Sequence, residues 1–104
     1  MKRVDLQHEV TSMVGNHPDV FVITANCVPT EEEGIYDIKI VVKSKKRNRR
    51  RIHKGEIELN DPLAAIETVK EYMTCGEIVQ GMIQTLSSIL LNDFPEFYPV
   101  VDLE

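Results

Sequence analysis

The sequence predicts an α+β fold: one helix, a three-stranded antiparallel meander, then two helices packed on one face of the sheet. Three observations point there. Residues 35–43 alternate, with Tyr36, Ile38, Ile40 and Val42 facing one way and Asp37, Lys39 and Lys43 the other, Val41 among them. Period two with one wet face marks an antiparallel sheet. Residues 61–91 instead carry apolar side chains at helical spacing, and the connections between segments are short. A length of 104 residues with 42% hydrophobic content suits a single domain over 1–104, with 92–104 as an extended C-terminal tail.

Residues 3–14 read as the first helix. Leu6, Val10, Met13 and Val14 fall at i, i+4, i+7 and i+8, and Gly15 and Pro18 follow as stop signals. Residues 19–28 are rich in β-branched and aromatic types and read as a strand. Residues 29–34, with Glu31, Glu32, Glu33 and Gly34, form a turn into the alternating strand 35–43. A weaker strand spans 51–59, where Ile57 and Leu59 share a face and Gly55 suggests a bulge. Pairing of Lys39 and Lys43 with Glu56 and Glu58 across these strands would set their register.

Asp61 and Pro62 have the residue types of an N-cap and first helical position. Leu63, Ile66, Val69 and Met73 form the expected buried stripe of that helix, and Thr74-Cys75-Gly76 breaks it. The last helix runs from about 77 to 91. It has no charged residue from Ile78 to Asn92, and Gly81, Thr85 and Ser88 make a small, weakly polar stripe. A surface helix normally carries charge on its wet face, so this one is expected to be covered on two sides, by the tail, by the first helix or by a second subunit. That makes a homodimer through residues 78–91 one structural reading.

Charge is the main functional clue. Residues 43–54 hold eight of the twelve basic residues and no acid. The segment carries +8 and the remaining 92 residues carry −13, which together give the formal −5. Lys43, Lys45, Lys46, Arg47, Arg49, Arg50, Arg51 and Lys54 thus form a basic finger between the second and third predicted strands. Arginine offers planar bidentate contacts to phosphate and lysine a point charge. The leading expectation is a non-catalytic binding protein whose finger contacts nucleic acid or a nucleoprotein. Five duplex phosphate contacts would give a log K against log salt slope of about −4.5. Ser44 to Arg50 are consecutive polar residues, which suggests that the finger is mobile.

A second expectation is a regulator or inhibitor of a protein partner, such as a phage-encoded antagonist of nucleic-acid processing. It would use the acidic body and the aromatic tail residues Phe94, Phe97 and Tyr98.

Enzymatic chemistry finds no support in the sequence. Its glycines are scattered singly, and no G-x-S-x-G, H-E-x-x-H or C-x-x-C occurs. His8, His17 and His53 do not have metal-ligand spacing, and Glu31-Glu32-Glu33 reads as a solvated turn, so neither metal nor cofactor is expected. Cys27 and Cys75 read as free thiols, with Cys27 a small hydrophobe in an apolar strand. No apolar leader opens the sequence and no stretch suits a membrane span, so the expected location is cytoplasmic.

Overall fold

A computed structural model describes residues 2–61 and 63–97. It has four strands followed by two helices: β1 (Val4–Val14), β2 (His17–Pro29), β3 (Ile35–Ser44), β4 (Arg50–Glu58), α1 (Ala65–Cys75) and α2 (Glu77–Asp93). A single 3₁₀ turn, Pro95–Phe97, ends the described chain. The strands make one open antiparallel sheet in the order β1-β2-β3-β4. The α+β class and the meander therefore stand, with one more strand than expected.

That extra strand corrects the reading of residues 3–14 as a helix. Val4, Leu6, Val10 and Val14 also recur at period two, and all pair onto the inner face of β2. The competing helical spacing relied on Met13, which is 58% exposed on the opposite face. His8 and Ser12 interrupt the inner row, which weakened the strand signal in the sequence. The deciding feature is the two-residue link Gly15-Asn16 between paired Val14 and His17. Gly15 has φ +60° while Asn16, like every other non-glycine among the described residues, does not have positive φ, the pattern of a II′ hairpin turn.

The inner face buries Phe21, Ile23, Ala25 and Cys27 of β2 and Tyr36, Ile38, Ile40 and Val42 of β3. Val69 and Met73 of α1 and Val79, Met82, Leu86 and Leu90 of α2 pack on them as one core. Burial pushes the Cys27 thiol up to about 11 and also raises Tyr72, because both charged forms lose water.

Four further expectations change. In α1, Val69 and Met73 are buried as expected, but Leu63 and Ile66 are 94% and 52% exposed and Ala65 takes their place inside. Asp61 caps no helix; its Oδ1 accepts the Leu63 N–H at 3.0 Å in a turn before α1, and Pro62 lies outside the described residues. Gly55 causes no bulge and sits in regular register opposite Ile38. The tail is not extended from residue 92: α2 continues to Asp93 and residues 95–97 form a helical turn. The break at Gly76 is as expected. The Gly81, Thr85 and Ser88 stripe faces outward, uncovered among the described residues, and both hydroxyls are turned back onto helix carbonyls. No helix among the described residues is long and apolar enough to cross a membrane.

Candidate nucleic-acid interface

The basic segment folds into the β3–β4 hairpin and its tip. Ser44 N–H donates to the Arg49 carbonyl at 3.1 Å, closing a five-residue loop. Lys45 N–H donates to the Val20 carbonyl at 2.9 Å, which ties the loop to the neighbouring strand. Arg47 N–H donates to Ser44 Oγ at 3.1 Å and Arg49 N–H to the Arg47 carbonyl at 2.9 Å. The tip is built by hydrogen bonds and is not the loose finger that its polar composition suggests.

At its centre lies Asp19, 3% exposed, on the inner face of β2. It accepts the Val20 N–H and the Ser44 hydroxyl, each at 2.9 Å. Arg47 Nη1 lies 3.3 Å from Oδ1, the oxygen that also accepts the Val20 N–H. The Arg47 guanidinium stacks 4.1 Å from the Phe97 ring centroid and also bonds Glu96. Arg49 donates through Nε to Asp93 at 2.9 Å and lies 5.1 Å from the Phe94 ring. Lys45 reaches Glu9 at 3.1 Å. Three of the eight predicted contact residues, Lys45, Arg47 and Arg49, are thus paired with acids of the same chain, Arg47 part-buried and Lys45 and Arg49 at the surface.

Phe94 and Phe97 are likewise committed. Phe97 is 1% exposed, between Arg47 and the His17 ring at 6.3 Å, and Phe94 is half-buried against the core. They are not free tail groups for a partner, which corrects that reading, and Tyr98 lies outside the described residues. The 3₁₀ turn also seats directly under the β1–β2 turn: a Cβ on Gly15 would stand 2.7 Å from the Phe97 carbonyl oxygen.

The other five, Lys43, Lys46, Arg50, Arg51 and Lys54, are exposed and have no acidic partner among the described residues. Their register overturns the expected Lys–Glu pairing. Lys39 stands opposite Lys54, Lys43 opposite Arg50, and Asp37 opposite Glu56. The closed tip loop pins this register, so cations face cations on the outer face of the sheet. No helix among the described residues covers that face. Between the two cation pairs run Val41 and its partner Ile52, the latter 45% exposed.

Next to Lys39 and Lys54 the outer face forms an open groove of about 470 Å³. Asn26, Val28 and Asp37 share its lining, with Arg3 at the β1 side. Asn26 Nδ2 donates to Asp5 at 2.7 Å, and Arg3 Nε donates to the same carboxylate at 2.8 Å. The Asn26 amide first, and Arg3 second, hold the Asp5 carboxyl below its usual value.

Sequence reasoning missed Asp19 and Lys39. Asp19 shares the odd-numbered face with Phe21, Ile23, Ala25 and Cys27, so its inward direction was readable from period two. Lys39 lies outside the dense run and joins it only through the hairpin register. No group of three or more potential metal-ligating side chains occurs among the described residues. No protein-family model, curated protein or solved structure matches the chain.

Proposed function

We propose that the protein is a non-catalytic nucleic-acid-binding protein whose contact surface is the β3–β4 ribbon. The observation that carries this is the stacking of like charges across one ribbon, Lys39 against Lys54 and Lys43 against Arg50, none of them in an ion pair among the described residues, with the acidic pair Asp37–Glu56 next along the same face beyond Lys39 and Lys54. Like charges directly opposite in a sheet are destabilising, while an opposite pair contributes about 0.2–1 kcal/mol. A ribbon meant only to be stable would alternate sign. This one keeps cations opposite cations on a face that no other element among the described residues covers, which suits a row of phosphates. Lys46 adds a further exposed cation at the tip, while Arg51, opposite Val42, is exposed on the other face of the sheet. Lys45, Arg47 and Arg49 hold the tip in shape and are positioning residues in this reading.

The test is fluorescence anisotropy of labelled DNA and RNA oligonucleotides at several salt concentrations. The informative variant changes Lys39, Lys43, Arg50 and Lys54 to Gln, because replacing Arg47 would also disrupt Asp19. Expected is binding that weakens steeply with salt and is lost in the variant. Absence of binding to any oligonucleotide at low salt overturns the reading.

A second reading, a regulator that docks on a protein, draws support from Leu63 and Ile66, which are exposed three residues apart at the start of α1. It predicts a discrete partner in pull-downs, released by Leu63→Glu.

A further inference from the structure

We infer that the ligand of this ribbon is single-stranded nucleic acid, with unpaired bases lying on the Val41–Ile52 row and one base entering the groove beside Lys39. The inference rests on the nucleic-acid reading and adds the strandedness of the ligand and the site of base contact.

Three observations carry it. The two cation pairs sit four residues apart along the ribbon, about 13 Å at strand rise. Between them the surface is aliphatic, Val41 and Ile52, with Val22 and Thr24 beside them on β2 and no charge. A duplex turns its phosphates outward and stacks its bases within, so it has no use for an apolar strip flanked by cations. A single strand presents both phosphates and base faces, and proteins that bind it combine a basic track with platforms, mostly aromatic, for the bases; here the platform is aliphatic. The cations supply the charge complementarity, and the aliphatic row supplies contact for the faces of the bases.

The groove differs chemically from the ribbon. Its lining includes Asp37, a carboxylate that would repel a phosphate, next to the Asn26 amide and the lysine ammonium groups. Donors and acceptors within one groove match the edge of a nucleobase, which carries both. The 470 Å³ volume falls in the range of small-ligand pockets. Lys39 and Lys54 belong to both regions, so a chain laid along the ribbon from Lys43 and Arg50 arrives at the groove mouth without crossing an acidic surface.

The experiment compares a short mixed-sequence single strand, as DNA and as RNA, with the duplex formed by the same strand and its complement. Anisotropy is read across a salt series. Expected is single-strand binding at least about tenfold tighter than duplex binding. Its salt slope should be near −2.8 for four phosphate contacts at about −0.7 each. A Val41→Thr, Ile52→Thr double variant keeps strand propensity and charge. It should lower single-strand affinity about fivefold while leaving the salt slope unchanged, since its contacts are apolar. A second variant, Asp37→Asn, removes an acceptor from the groove at an exposed position and should alter preference among homopolymer single strands. Circular dichroism melting confirms that each variant is folded. Duplex binding as tight as single-strand binding overturns the inference and leaves the nucleic-acid reading in place. So does a Val41/Ile52 variant that is folded and binds as wild type does. Loss of all oligonucleotide binding by the unaltered protein removes both.

Discussion

The tip of the β3–β4 hairpin and the ribbon beneath it are equally basic in sequence and opposite in their use of that charge. At the tip, Arg47 lies between buried Asp19, Glu96 and the Phe97 ring, and Arg49 between Asp93 and Phe94. On the ribbon a few residues away, Lys39, Lys43, Arg50 and Lys54 face one another and make no ion pair among the described residues. One group of cations holds the fold and the other is left for something outside it. A count of positive residues therefore overstates the charge available to a ligand, because a cation already paired with a buried acid has little field left to offer.

The largest test of that contrast is Arg47→Ala. It strands Asp19, whose side chain is 1% exposed, without its guanidinium. Leaving one charge of a buried pair unpaired costs about 3–5 kcal/mol. Urea denaturation should show the midpoint falling accordingly, while Lys46→Ala at the exposed side of the same loop changes it by less than about 0.5 kcal/mol. Equal effects from the two substitutions would erase the distinction between structural and free cations.

Next in size is Gly15→Ala, which probes how firmly the β1–β2 turn is seated on the 3₁₀ turn that also holds the Arg47 partners Glu96 and Phe97. Positive φ and a Cβ 2.7 Å from the Phe97 carbonyl oxygen both oppose a side chain there. A loss of about 2 kcal/mol in thermal or urea unfolding is expected. A neutral result would mean the turn moves freely away from Phe97.

Lys54→Glu sharpens the comparison from the ribbon side. It places a carboxylate opposite Lys39 and converts a repulsive pair into an attractive one. Stability should rise by about 0.2–1 kcal/mol in a thermal melt while oligonucleotide binding weakens in anisotropy. Opposite signs in the two measurements are the signature of charge retained for binding. A variant that loses both would place Lys54 among the structural cations.

The smallest effect concerns the core that both regions share. Burial raises the Cys27 thiol to about 11, above its ordinary value near 9. The folded protein therefore holds that proton more tightly than the unfolded chain. Its contribution is fully present below pH 9 and declines as pH rises towards 11. Cys27→Ala should flatten that part of the pH–stability curve. Before denaturation, a thiol reagent should titrate only Cys75, which is exposed.

Some of this was legible in the residues. The alternation of β3 assigned Tyr36, Ile38, Ile40 and Val42 to the core, and all four are buried. The dense basic run between two strand signals placed a hairpin tip where one exists. β1 was not legible as a strand from hydrophobic spacing, because Leu6, Val10 and Val14 satisfy both periods and His8 and Ser12 interrupt the strand alternation. Gly15-Asn16 was the better signal, since a two-residue turn beginning with glycine joins strands far more readily than it ends a helix. Leu63 and Ile66 misled for a related reason: helical spacing identifies a stripe, but Ala65, Val69 and Met73 form the one that meets the sheet.

By itself the sequence determined the α+β class, most element positions and the segregation of charge along the chain, because periodicity and composition act over a few neighbouring residues. Only the tertiary structure decided which charges cancel. Arg47 meets Glu96 across 49 residues of chain, Lys45 meets Glu9 across 36, and Lys39 meets Lys54 through a register set by a loop neither belongs to. Ion pairing depends on distance in space between residues far apart in the chain, and no local pattern encodes that distance.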